Sequence, residues 1–327
     1  MSKMSIEKKG QGDLRRYTFN GETMGTRYNA QCYAERDLDP SPLAAELEMA
    51  VQGVDQEMSN WKANSDLTRL NNAPVDVWVP IPGNLATVLA RAAEIGCETG
   101  NAFNVGVGDL VDQWGFGPQG TGQPDMSDLS SRRTRMPVGE MLEIDIARSR
   151  ARKRAPLALD LCGIAKGFGV DELGRVMDRS GIRSWLVGID GEMRAKGTKP
   201  LGASWTLAIE RPEYDCRDAF AVIEITDVAI ATSGDYRHWS EYQGMRISHT
   251  MDPRTGAPLS NGVASVTVLA ATCMNADAYA TALMVLGDER GVQFARRKGL
   301  DALFLVREGK GLRATGTGCF ARESQVA

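Results

Sequence analysis

The chain has 327 residues, 43% of them hydrophobic and 24% charged, enough for one large buried core or two smaller ones. Its formal net charge of −4 argues against a general binder of nucleic acid or anionic membrane, so an anionic ligand would need a local basic site. No stretch approaches the roughly 18 uninterrupted apolar residues of a membrane span.

The start, MSKMSIEKKGQGDLRRY, lacks the apolar core of a signal peptide, so the sequence as written reads as cytoplasmic. A periplasmic chain whose export signal had been removed would read the same way. Cys32, Cys97, Cys162, Cys216, Cys273 and Cys319 show no CxxC pair and no zinc-site spacing, and are expected to be reduced and mostly buried.

Residues 1–22 are polar and are expected to form a tail, with the folded domain spanning 23–320 and a short tail over 321–327. Arg27 to Glu35 alternates as a strand does. Ser41 and Pro42 offer an N-cap and a first helical residue, and Leu43, Leu47, Ala50, Val51, Val54 and Met58 follow at helical spacing. A second helix is expected from about Asn84 to Thr99, with Gly100 as its stop. Gly115 to Pro137 is aperiodic and dense in Gly, Pro, Ser and charge, and should be an exposed loop.

From Leu142 onward the runs LEIDIA, LALDL, SWLVGID, WTLAIE, AFAVIEI and ASVTVLA recur between turn residues. Two helices interrupt them, one after Gly167 and one over about Asn275 to Leu286. Short turns between strands favour antiparallel pairing, so the fold class is α+β, with mostly antiparallel sheets flanked by helices.

Three segments carry groups with chemical potential. Asp277 and Thr281 lie four apart in a helical pattern, so their oxygens share one face and suit a hard cation such as Mg²⁺; on spacing alone a helix-start charge and a packed threonine are the plainer reading, because two ligands never complete a site. DLCGIAKGFGVDE is a strand end, a glycine turn and a helix start with Lys166 in the turn, fit for a phosphate or simply for backbone conformation. In ISHTMDPRTGAP, His249 precedes a tight turn and could take a proton from a hydroxyl, or merely hydrogen-bond within a hairpin. His238 has no comparable partners in sequence and is read as structural, and Cys162 is expected to lie buried under the glycine turn. There is no GxSxG elbow, HExxH pair, Walker loop or GxGxxG after a strand.

Taken in order, TMGTRY, DLTRLNN, AFNVGVGDLVDQWGFG, DLCGIAKGF, SGDYRHW, SHTMDPRTGAP and SVTVLAATCMNADAYATALMVLG resemble the ApbE family of FAD:protein FMN transferases. The resemblance implies a T-fold-like α+β architecture with FAD in a crevice between its parts. It implies Mg²⁺-dependent cleavage of FAD, transfer of FMN through a phosphoester to a threonine or serine of an acceptor flavoprotein carrying Asp-x-x-Ser/Thr-Gly-Ala-Ser/Thr, and release of AMP. By motif position, Met24, Trp61, Ala102, Phe103, Asn104, Asp160, Lys166 and Met251 would contact FAD. Gly163, through its carbonyl, Asp277 and Thr281 would hold the metal, and His249 would be the base.

The chain departs from the family pattern at Asn104, where aspartate is usual, at Asp109, where proline is usual, and in GIDGE, where a glycine pair is usual. Two alternatives stay open at this level: a Mg²⁺-dependent FAD pyrophosphatase, and a flavin carrier without turnover. Monomer and homodimer are equally compatible with the sequence.

Overall fold

Period-two alternation builds the first hairpin. Leu14–Thr23 and Thr26–Glu35 pair antiparallel from Leu14↔Glu35 to Thr23↔Thr26, leaving Met24 and Gly25 as a turn with φ of 49° and 71°. Two positive φ values match the right-handed twist of the strands, and Gly25 takes its value without strain. The computed structural model describes residues 3–7, 14–120, 136–214, 217–309 and 311–325. Within them the expected N-terminal tail is largely strand: Lys3–Glu7 is an edge strand, and Leu14–Thr23 buries Tyr17 and Phe19.

Among the described residues, nine strands form one antiparallel sheet in the spatial order Lys3–Glu7, Leu14–Thr23, Thr26–Glu35, Ser184–Ile189, Glu192–Lys196, Ala229–Gly234, Val263–Ala270, Asp301–Glu308 and Gly311–Thr317. Alternation sends Trp185, Val187 and Ile189 to one face, where they meet Leu43, Leu47 and Val51 of the Pro40–Met58 helix and Val170, Leu173 and Val176 of the Ala165–Arg179 helix. Leu186, Leu303 and Leu305 point to the other face, under the ribbon of Trp205–Glu210 and Ala219–Ile225. Such alternation is what a sheet covered on both faces by different layers requires. The α+β class with antiparallel pairing stands.

Several boundaries move. The first helix begins at Pro40 with Asp39 as N-cap, accepting from the Ser41 amide at 3.0 Å, because Pro40 rather than Pro42 takes the first turn. The second spans Gly83–Glu98, followed by Gly100 at φ 60°. Among the described residues LALDL pairs with no strand; its backbone is held instead by the Asn71 side chain and by Val105 and Gly108. The last helix starts at Cys273 and continues past a break at Gly287 (φ 79°, ψ 179°) to Lys298, twelve residues beyond the expected end at Leu286. The segment expected as a C-terminal tail begins inside 3₁₀ turns over Gly318–Gln325.

Of the expected 115–137 loop, residues 121–135 lie outside the described residues, as does Cys216. Cys32 and Cys273 are buried, whereas Cys97, Cys162 and Cys319 are exposed, so the thiols are not mostly buried.

Candidate active site

Two helix starts meet under the sheet's central strands. A Cβ on Gly167 would lie 2.4 Å from the Cys273 carbonyl oxygen and 2.8 Å from Asp277 Cβ, so glycine alone permits this approach. The Gly167 amide donates to Asp277 Oδ2 at 3.0 Å, and Asp171 in return accepts from the amides of Cys273 and Met274, each at 3.0 Å. Asp277 therefore serves the opposite helix rather than capping its own, which Thr272 caps through the Asn275 amide. Burial and the charge of Glu192 push the Asp277 carboxyl above the usual carboxylate range, against the pull of Lys166 and the Gly167 amide.

One helical turn on, Thr281 Oγ1 lies 3.0 Å from Ser233 Oγ. A Cβ on Gly163 would lie 3.0 Å from that same Thr281 oxygen and 3.4 Å from Phe103 Cε2. The glycine turn, the Ala102–Phe103 segment and the Asp277–Thr281 helix face thus converge. Among the described residues no group of three or more His, Cys, Asp or Glu side chains is arranged to hold a metal ion. The side-chain oxygens on this helix face are the Asp277 carboxylate and the Thr281 hydroxyl, donors of a kind that suits a hard cation.

Lys166 lies in the first turn of its helix, past the loop expected to hold it. Its Nζ is 2.8 Å from Glu192 Oε1 and 3.4 Å from Asp190 Oδ2. Burial alone would favour the neutral amine, but Glu192, Asp277 and Asp190 outweigh it and hold the ammonium well above its ordinary pKa. Glu192 is 4% exposed, and its Oε2 is buried without a partner. Sequence reasoning missed both acids; the only signal was GIDGE, seen as a departure from the family, whose Asp190 and Gly191 form the turn at φ 53° and 110°.

Asp160 holds the front of the glycine turn. Its Oδ1 accepts from the Cys162 amide at 2.8 Å and its Oδ2 from Asn60 Nδ2 at 3.0 Å, while burial raises its pKa despite those bonds. Cys162 is exposed rather than buried, and the neighbouring Asp160 charge, followed by desolvation, keeps it a thiol. Trp61, beside Asn60, is 67% exposed. Met24 Cε approaches the place where a Cβ on Gly169 would be, at 3.0 Å. The Asn104 amide is engaged at both ends: Nδ2 donates to Asn101 Oδ1 in its own loop and to the Met136 carbonyl of another segment, at 2.9 and 3.2 Å, and Oδ1 accepts from the Gly106 amide at 2.7 Å.

His249 Nδ1 lies 2.9 Å from the His238 carbonyl oxygen. A carbonyl can only accept, so Nδ1 carries the proton and Nε2 keeps its lone pair. Burial, with the nearby charges of His238 and Lys166, lowers its pKa to about 4 despite the His238 carbonyl, so the ring is a neutral base at pH 7. His238, read as structural, does its work through its backbone. The following turn is fixed by Asp252, whose carboxylate grips Arg254 at 2.8 and 2.9 Å. Arg254 Nη2 and Asn261 Nδ2 reach the Val285 and Met284 carbonyls, at 3.0 and 2.7 Å, that the Gly287 break leaves open. Met251 is buried against Leu110 and Trp114.

A profile of the ApbE family matches residues 24–304. Over 92% of its length the chain is 37% identical to the FAD:protein FMN transferase of Vibrio cholerae serotype O1, covering 90% of that protein. It is 33% identical over 88% of its length to the FAD:protein FMN transferase of Escherichia coli K12, covering 84% of it. Among solved structures, the flavin transferase ApbE from Vibrio cholerae superposes with a TM-score of 0.84 at 36% identity, covering 95% of this chain and 99% of that one. The apo flavinyl transferase ApbE of Pseudomonas stutzeri gives 0.85 at 34% identity, covering 96% and 98%. Fold and relatives together define the class of flavin transferases. The chain belongs to the ApbE family.

Proposed function

We propose that this protein is a magnesium-dependent FAD:protein FMN transferase, joining FMN to a threonine or serine hydroxyl of an acceptor flavoprotein and releasing AMP. The observation that carries the reading is the convergence of Gly163, Asp277 and Thr281 beside Lys166.

The Gly163 carbonyl, the Asp277 carboxylate and the Thr281 hydroxyl would hold Mg²⁺, which when bound neutralises charge on the FAD diphosphate. Lys166 adds a cation whose position Glu192 and Asp190 fix. His249 Nε2 takes the proton of the acceptor hydroxyl as its oxygen bonds to the FMN phosphorus. The phosphorus–oxygen bond to AMP breaks, and AMP leaves with the bridging oxygen. Met24, Trp61, Ala102, Phe103, Asp160 and Met251 would shape the flavin site. Asn104 contributes there by fixing the loop that carries Phe103, since both ends of its amide are already bonded.

The test incubates the protein with FAD, Mg²⁺ and a peptide containing Asp-x-x-Ser/Thr-Gly-Ala-Ser/Thr, and weighs the peptide by mass spectrometry. A covalent FMN adduct is expected. Free FMN and AMP without adduct would make it a pyrophosphatase, and bound, intact FAD would make it a carrier.

A further inference from the structure

A break inside a helix leaves backbone carbonyls that something else must satisfy. In the Cys273–Lys298 helix the break falls at Gly287, whose φ of 79° and ψ of 179° lie in a region essentially reserved for glycine. The Met284 and Val285 carbonyls are then taken up by one outside segment: Arg254 Nη2 donates to Val285 at 3.0 Å, and Asn261 Nδ2 donates to Met284 at 2.7 Å.

That segment is the hairpin that begins two residues after His249. Met251–Asp252 pairs with Ala257–Pro258, and the Thr250 carbonyl accepts from the Leu259 amide at 3.0 Å, so His249 adjoins a closed ladder. Both donors are aimed before they reach the helix. Asp252 holds Arg254 Nε and Nη2 at 2.9 and 2.8 Å, leaving Nη2 a second proton for Val285. Asn261 Oδ1 accepts from the Val263 amide at 3.2 Å, which turns its Nδ2 toward Met284. Elsewhere on the hairpin, Trp114 Nε1 donates to the Gly256 carbonyl at 3.3 Å.

We propose that Arg254 and Asn261 are positioning residues for the transfer step, fastening the hairpin that follows His249 to the helix that carries Asp277 and Thr281. The proposal rests on the transferase reading and adds what sets the distance between its base and its metal-binding oxygens. Val285 lies four residues past Thr281 and eight past Asp277, about 6 and 12 Å along one helix. Arg254 lies five residues past His249 in the chain. The Trp114 bond by itself would let the hairpin pivot, and two ties to the helix remove that freedom. Reacting groups displaced by about 1 Å can lose two orders of magnitude in rate, so a brace remote from the chemistry acts on kcat.

Arg254→Met and Asn261→Ala each cut one tie, and the second leaves the Asp252–Arg254 pair in place. With bound FAD, Mg²⁺ and saturating acceptor peptide, each variant should lower kcat about ten- to 100-fold, while the dissociation constants of FAD and Mg²⁺ and the KM for peptide stay unchanged. In a His249→Ala background the same changes should slow adduct formation by no more than about two-fold, because a base that is missing cannot be misplaced. Wild-type kcat in both variants, the full loss repeated in the His249→Ala background, or a parallel loss of Mg²⁺ or FAD binding would overturn the proposal. If Arg254→Met is unfolded at the assay temperature, Asn261→Ala decides alone. No adduct from the wild type would mean that the transferase reading itself had failed.

Discussion

Asp277 and Gly167, 110 positions apart in the chain, meet through a 3.0 Å hydrogen bond from backbone amide to carboxylate. Asp171 returns the bond to the amides of Cys273 and Met274, and Arg194 secures Asp171 at 2.7 Å. Each helix thus satisfies unpaired amides in the first turn of the other. The exchange locks together Lys166 on one helix and Thr281 on the other, which the proposed chemistry needs on either side of a diphosphate.

Asp277→Asn separates this scaffold from the charge. Its side-chain carbonyl can still accept from Gly167, and a buried carboxyl with a raised pKa is removed, so urea unfolding without metal should show equal or greater stability. Magnesium dependence and most of the activity should disappear. Calorimetric titration with Mg²⁺ gives the independent reading, and undiminished binding would take Asp277 out of the metal site.

Asn104→Asp restores the residue usual in the family and should nevertheless harm this chain. A carboxylate cannot donate to Asn101 Oδ1 or to the Met136 carbonyl, so two bonds become oxygen–oxygen contacts. The expected loss is about 1–3 kcal/mol in denaturant unfolding. An unchanged midpoint would show that the loop adapts.

The pH profile reports on His249. Its pKa falls from 6.5 in the reference state to about 4 in the fold, so the unfolded chain binds the proton more readily. Stability contributed by the neutral ring is complete above about 6.5, declines as pH falls toward 4, and levels off below. By the same shift, the acid limb of kcat/KM should fall near pH 4 instead of 6.5, if His249 must be neutral to act. A limb near 6.5 would contradict the burial argument.

Much of this was legible in the sequence because it is local. The apolar spacing of Leu43, Leu47, Val51, Val54 and Met58 marks a helix, and all five are buried. His249, Lys166, Asp277 and Thr281 stand out through short motifs of fixed spacing. What was hidden depends on distant pairing. Ala229–Gly234 is placed between Glu192–Lys196 and Val263–Ala270 by ladders with both, which no local pattern encodes. Glu192 was missed for the same reason: only the fold of its hairpin against the Ala165–Arg179 helix brings it to Lys166. Gly287 reads as a helix stop from local rules, yet side chains from the Asp252–Asn261 loop cap the break and the helix resumes.

The most direct test compares wild type and His249→Ala at pH 7 with bound FAD, Mg²⁺ and saturating acceptor peptide, following the FMN adduct by mass spectrometry. With a neutral, oriented Nε2 as the base, the variant should bind FAD as the wild type does and form adduct about 10²- to 10⁴-fold more slowly. Adduct formation at the wild-type rate in His249→Ala would contradict the account.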